Sequence, residues 1–385
     1  MIAGLDEPAA ALLPTSLAVA CRIWPFSVSD SSIAQSSPRS GSTLASIRGD
    51  VLSLEHAVFI HSWRDGRSVL FGGLRIFTSN AEWVEVPIPS PVISGTVYHY
   101  TTGAGLLGIV GRGAFWASSP LAMNDLSEIS YGLEVLRRVW NSWDRSTLSD
   151  EQSVVGDRVL NSANLDRLID SLYFFCACAD GDALNQWQGY AGDRGFSIEI
   201  DTAAHLAPLD TSGQGDAGGL FMHVVPGWYR VIYDPAEQER LVRKVLDFAL
   251  SGGGYRDGRP LDSGHLETFL GTVIAQFKHP SFNAEREVRF IALRRGPDLP
   301  ERFRSGRSGV IPYVELVCPP GEGRHLVSYP GQDPPGPLPL KSLTCGPADA
   351  AEAALIASAA SRLMEAHGYD VRVHRSRVPY RFFRI

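Results

Sequence analysis

Two glutamates two positions apart, Glu285 and Glu287, and a histidine set among aromatic residues, His99, are the side chains of this sequence best suited to reaction chemistry. Glu285 and Glu287 open the β-rich run EVRFIAL, so period-two geometry predicts both carboxylates on one face of a strand. Carboxylates held that close repel unless a cation or a substrate lies between them, and one of the two can be pushed towards protonation. The plainer alternative is a solvated edge neutralised by Arg286 and Arg289. His99 lies in VYHYTT, where a single histidine is either a hydrogen-bonded core residue or a site residue. Cys176 and Cys178 alternate in YFFCACA and read as small buried hydrophobes, with no neighbouring His or Asp to complete a metal site. Trp187 and Tyr190, three apart in LNQWQGYA, read as core packing.

Gly103, Gly105 and Gly108 match the G-x-G-x-x-G pattern of dinucleotide-binding folds between a strand and a helix. The context argues against that fold. The preceding strand carries Tyr98, His99, Tyr100, Thr101 and Thr102 where a buried parallel strand should be aliphatic. No second strand ends in an acid about 20 residues on. The sequence holds no P-loop, H-E-x-x-H, G-x-S-x-G or EF-hand pattern, which removes the commonest nucleotide, zinc-protease, hydrolase and calcium classes.

The elements that must position these residues begin at Thr96. VYHYTT reads as a strand and Gly103 to Gly113 as a helix with Leu106, Leu107 and Val110 on its inner face. FWASS, YFFCACA, FSIEID, WYRVIYD, EVRFIAL, YVELV and DVRVH read as further strands. Helices are expected over 126–140, over LNQWQGYA, after the Asp234-Pro235-Ala236-Glu237 start, over 266–277 and after Asp349 with Glu352. The polar stretch 142–157 reads as a loop or an irregular helical connection. Strands and helices mix without a βαβ beat, so the expected class is α+β, a single mixed domain over 95–385 with a split, mostly antiparallel sheet. Residues 1–50 are Ala/Ser/Pro-rich and expected to be disordered, and 51–94 read as a small β-rich appendage or a start-site extension.

A net charge of −7, from 35 basic and 42 acidic residues, argues against a chain-wide field for duplex nucleic acid. Five cysteines without a C-x-x-C pair fit a reducing compartment and free thiols, and no apolar run approaches a membrane span, so a cytoplasmic location and no membrane partner are expected. The C-terminal arginines, Arg362, Arg372, Arg375, Arg377, Arg381 and Arg384, offer a possible phosphate-binding tail, although a solvated face with local ion pairs is favoured over nucleic acid.

VYHYTTGAGLLGIVGRGAFWASSPLAMNDLSE, FFCACADGDALNQWQGYAGDRGFSIEID, HPSFNAEREVRF and the terminal CGP…HGYDVRVHRSRVPYR together resemble the bacterial domain of unknown function 2971 family, over residues 95–385. The opening H-x-T strand, short helix and FWAS strand also resemble ADP-ribosyltransferases of the His-Tyr-Glu type. That resemblance implies NAD as substrate, no metal, and transfer of ADP-ribose to an unidentified macromolecular acceptor, with a role in toxin action or phage defence. It implies that His99 binds the NAD ribose with support from Thr101, that Tyr131 or Trp116 stacks on nicotinamide, and that Glu287 is the catalytic carboxylate with Glu285 orienting the acceptor. Asn124 joins the cofactor-binding set. Glu287→Gln is then expected to fold normally and lose NAD turnover. The alternatives are a non-catalytic sensor or interaction domain, in which the same residues only pack and hydrogen-bond, and a nucleic-acid-processing protein.

Overall fold

Central strands that are apolar on both sides run through an eleven-stranded sheet, because their successive residues feed two different cores. The structure, a computed structural model, describes residues 60–64, 67–71, 74–77, 83–86, 95–123, 128–160, 169–192, 194–209, 227–250, 255–256, 259–260, 263–293, 301–306, 309–320, 329, 331 and 333–380. The sheet contains β1 (Thr96–Thr101), β2 (Phe115–Ser118), β3 (Leu172–Cys178), β4 (Phe196–Asp201), β5 (Ala207–Pro208) and β6 (Gly227–Arg230). It continues with β7 (Glu287–Leu293), β8 (Arg302–Gly306), β9 (Gly309–Val317), β10 (Leu340–Cys345) and β11 (Arg372–Arg375). The order is β8-β9-β2-β3-β1-β4-β10-β11, with β7 joining β3 to β6 and β5 joining β9. Only β10 and β11 run parallel, so the sheet is mixed and mostly antiparallel, as the α+β expectation required.

The helices of ten or more residues among the described ones are α1 (Gly103–Arg112), α2 (Glu128–Asn141), α3 (Asp150–Leu160), α4 (Pro235–Leu250), α5 (Ser263–Ile274) and α6 (Ala350–Ala366). Leu172, Phe174 and Ile291 pack on one side against Val139 of α2, Leu246 of α4 and Val273 of α5. Tyr173, Phe175 and Phe290 pack on the other with Ile109 of α1 and Met364 of α6. Each fully buried aliphatic or aromatic side chain contributes on the order of 1.5–3 kcal/mol, so the alternating rows of β3 and β7 tie the two layers together.

Several local rules act as the sequence dictates. Thr102 Oγ1 caps α1 by accepting from Gly105 N at 3.2 Å, and Gly113 ends it at φ 62. Asp234 Oδ1 accepts from Ala236 N at 2.9 Å at the start of α4, and Asp349 Oδ1 from Glu352 N at 2.9 Å at the start of α6. Two expectations need correction. The buried stripe of α1 is Leu106, Ile109 and Val110, while Leu107 is 58% exposed, because a residue next to Leu106 lies about 100° round the helix. The stretch 142–157, expected as a loop or an irregular helical connection, holds a short 3₁₀ turn at Arg145–Thr147 and then the regular helix α3. Ser149 and Gln152 form a reciprocal capping box there, with Ser149 N donating to Gln152 Oε1 at 2.7 Å and Gln152 N to Ser149 Oγ at 3.2 Å.

Within 51–94, Ile60–Arg64 pairs with Arg67–Phe71 and Leu74–Phe77 with Trp83–Val86, both antiparallel. The disorder expected for 1–50 and the tail residues Arg381 and Arg384 lie outside the described residues. No described helix is long and apolar enough to cross a membrane.

The feature that makes a site is a split. β7 pairs with β3 along its length, from Glu287 opposite Cys178 to Leu293 opposite Leu172. On the remaining edge, β3 meets β2 only at Phe174 opposite Ser118 and β1 only at Cys178 opposite Tyr98. β1 and β2 therefore part company around residue 176.

Candidate functional site at the sheet split

A cavity of about 710 Å³ is lined by Tyr98, His99 and Tyr100 from β1, Trp116 and Ser118 from β2, and the Phe174–Ala177 stretch of β3. Its size falls in the range that takes cofactor-sized ligands. The segment between α5 and β7, the short helix Leu184–Gln186 with its π-turn Trp187–Ala191, and the β8–β9 hairpin complete the lining.

His99 spans the split. Its Nδ1 lies 2.8 Å from the Cys176 carbonyl oxygen, and since a carbonyl only accepts, Nδ1 carries the hydrogen. The ring stands 4.4 Å from that of Phe175. Burial pushes its pKa down to about 4 against the upward pull of the Cys176 carbonyl, with the Arg304 charge adding to the depression. At neutral pH the imidazole is therefore uncharged and Nε2 is an acceptor, suited to a ligand hydroxyl.

Glu285 and Glu287 also line the cavity, but not as a strand pair. Glu285 ends a 3₁₀ turn over Pro280–Glu285, Arg286 takes the left-handed conformation at φ 46, and β7 starts only at Glu287. The cation between the carboxylates is Lys278. Its Nζ donates to Glu285 Oε2 at 2.6 Å and to Glu287 Oε2 at 2.9 Å. Arg289 adds Nε to Glu287 Oε1 at 2.6 Å and Nη2 to Oε2 at 3.0 Å, while its Nη1 donates to Ala275 O at 2.9 Å. Arg286 faces Asp180 instead, at 3.4 Å. The neutralised solvated edge is thus replaced by a buried network in which Glu287 is 7% and Arg289 0% exposed. Burial raises the Glu287 pKa, but Arg289 and Lys278 overcome it and hold the carboxyl well below the usual carboxylate range. Tyr190 Oη donates to Glu285 Oε1 at 2.9 Å, and burial with the Glu285 charge raises the phenol's pKa, so the hydroxyl keeps its proton.

This network changes the expectation that Glu287→Gln folds normally. Glutamine would deprive a fully buried guanidinium of the Glu287 charge, a loss of ~3–5 kcal/mol for a broken buried pair.

Trp116 lines the cavity 5.3 Å from Tyr313, with Arg304 5.8 Å over its ring. Thr101 is buried and does not line the cavity; a Cβ on Gly105 would overlap its Oγ1. A Cβ on Gly108 would overlap the Trp116 ring. Two of the three motif glycines thus serve close approach of α1 to the sheet. Tyr131 does not line the cavity either: its hydroxyl donates to Gln238 Oε1 at 2.8 Å and its ring meets His279 edge-on at 5.5 Å. Asn124 lies outside the described residues. Lys278 and Arg304 carry charge in the cavity without having been singled out by the sequence, while Tyr190, expected as core packing, is 38% exposed and lines the cavity with its hydroxyl on Glu285. The only signal was the rarity of lysine, three in the whole chain, with one immediately before HPSFNAERE.

Asp182 fixes the wall that carries Tyr190. It accepts from Trp187 Nε1 at 2.8 Å, Ser376 Oγ at 2.5 Å and Arg377 N at 2.7 Å, which ties the C-terminal segment to the Leu184–Ala191 stretch. Asn185 Nδ2 and Gln186 Nε2 then donate to Ala284 O and Glu285 O at 2.8 and 3.2 Å.

This is an α+β protein whose split sheet opens on a charged and aromatic cavity. Residues 186–290 match the family model described as Protein of unknown function (DUF2971), a stretch that includes Tyr190, Lys278, Glu285, Glu287 and Arg289. The match covers part of the 95–385 span that resembles this family in sequence. Neither the curated proteins nor the solved structures gave a match.

Proposed function

We propose that the chain binds NAD in this cavity and transfers its ADP-ribosyl group to a macromolecule. The observation that supports this reading is the meeting of His99, Trp116, Glu285 and Glu287, from distant parts of the sequence, on one cavity at the sheet split. Neutral His99 accepts a hydrogen bond from a ribose hydroxyl. The nicotinamide ring lies at the carboxylate end beside Tyr190, because the Trp116 face is covered by Arg304 and two cations do not share one ring. The bond between ribose C1′ and the nicotinamide nitrogen breaks, and its electron pair leaves with nicotinamide. Positive charge growing on the ribose is stabilised by Glu287, which Arg289 and Lys278 keep ionised. The acceptor nucleophile bonds to C1′ and passes its proton to Glu285, the more exposed carboxylate.

A second reading, a non-catalytic binding domain, is favoured by one observation: both oxygens of Glu287 are already engaged by Arg289 and Lys278. Two measurements on the wild type and His99→Ala decide. Ligand at 100 times its Kd adds ~2.7 kcal/mol, so NAD should raise the Tm by several degrees, and chromatography should detect released nicotinamide. Both signals should fall in His99→Ala. A Tm shift without nicotinamide selects the binding domain, and no shift at millimolar NAD removes the NAD reading.

A further inference from the structure

We infer that the end of the cavity formed by Arg304, Ser118 and Trp116 is a diphosphate-binding subsite. The inference takes its ligand from the NAD reading and its chemistry from contacts of its own. Arg304 Nη2 donates to Ser118 Oγ at 3.0 Å, while Nε is buried without a hydrogen-bond partner among the described residues. Trp116 Nε1, beneath the guanidinium, is likewise buried and unpartnered among them. No described carboxylate pairs with Arg304. Its strand neighbour Arg302 pairs with Glu315 at 2.9 Å, and buried Arg289 is met by Glu287 at 2.6 Å. A guanidinium drawn half into the protein beside a second unsatisfied N–H is costly unless an acceptor joins them.

The geometry favours an anion with several oxygens. Arginine presents a planar fork that suits phosphate bidentately, and a serine hydroxyl and an indole N–H are two further donors. His99, uncharged, contributes no competing positive charge, and Lys278 in the lining and Arg289 behind it are already balanced by Glu285 and Glu287. Arg304 is therefore the uncompensated charge among the described residues lining the cavity. An NAD molecule fits this polarity, with its anionic diphosphate at Arg304 and its cationic ring at the carboxylates.

The test uses the full chain and two probes, inorganic pyrophosphate and ADP-ribose, followed by calorimetry and by quenching of tryptophan fluorescence. Both should bind the wild type saturably. Arg304→Gln should weaken them roughly 10- to 100-fold, the range for loss of hydrogen bonds to a charged group. Arg304→Lys, which keeps the charge and loses the fork, should fall between and stands in for the glutamine variant if that variant does not fold. Absence of pyrophosphate binding to the wild type, or unchanged binding to the Arg304 variants, overturns the subsite. Pyrophosphate binding with no nicotinamide release would sink the catalytic reading alone, whereas NAD turnover with an unchanged KM in Arg304→Gln would sink the subsite alone.

Discussion

Replacing Glu287 by glutamine leaves the shape of the side chain and removes a charge that two cations share. Arg289 has no exposure to water and directs two of its nitrogens at that carboxylate, so the variant must hold a buried guanidinium deprived of the Glu287 charge. The amide also turns one of its ends, a donor, towards Arg289 or Lys278. Breaking a buried pair in this way costs ~3–5 kcal/mol. At ~2–4 °C per kcal/mol for a domain of this size, the Tm falls by roughly 6–20 °C. The double variant Glu287→Gln/Arg289→Met removes the stranded charge and should recover most of the loss, giving a large coupling energy in a double-mutant cycle. Urea melts of the wild type, both single variants and the double variant measure all four corners. A loss below ~1 kcal/mol in Glu287→Gln, or additive effects in the double variant, would refute the view that the pair is a buried and mutually dependent unit. Turnover of Glu287→Gln is informative only when divided by its folded fraction.

Three further outcomes follow from the same geometry. The folded state holds His99 at about 4 against its ordinary 6.5 and so binds fewer protons than the unfolded chain; stability should fall as the pH drops from 6.5 towards 4. The depressed Glu287 carboxyl extends the decline below its ordinary 4.5, and a His99→Gln variant whose melting curve keeps the upper part of that slope would contradict the assignment. Gly108→Ala should destabilise by ~1–3 kcal/mol through overlap with Trp116, despite alanine's better helix propensity, and a higher Tm would show that the contact is not tight. Deleting the residues after Arg375 removes two hydrogen bonds to Asp182 and uncovers Trp187, now 0% exposed; its fluorescence should shift to the red, and an unchanged spectrum would show that the C-terminal segment does not hold that wall.

What could be read in advance was whatever depended on neighbours along the chain. The caps at Asp234 and Asp349, the glycine end of α1 and the apolar strands β3 and β7 are local patterns, and the structure contains them. The misjudged parts of the site depend on meetings between segments. The carboxylates come together because a left-handed Arg286 turns the chain, a conformation rare for arginine and invisible to a period-two count. Charge counting near Glu287 named Arg286 and Arg289, of which Arg289 does hold Glu287, whereas the cation shared by both carboxylates, Lys278, lies on the far side of a 3₁₀ turn. Arg304 was one arginine in a run of several, and only the burial of its Nε separates it from them. α3 was missed although Ser149 and Gln152 form a cap, because the apolar periodicity behind that cap is weak.

The imidazole at the sheet split has an architectural meaning apart from any reaction. Strands that run side by side ordinarily knit together until their main-chain groups are used up, and where β1 leaves β3 the His99 side chain takes over one of those stitches. The carbonyl of Cys176 is satisfied without a neighbouring strand, so the opening carries little backbone penalty for staying open. Room for a ligand in this fold is therefore written into one residue type at one position, and a library of substitutions at 99 would sort variants by cavity size as well as by chemistry.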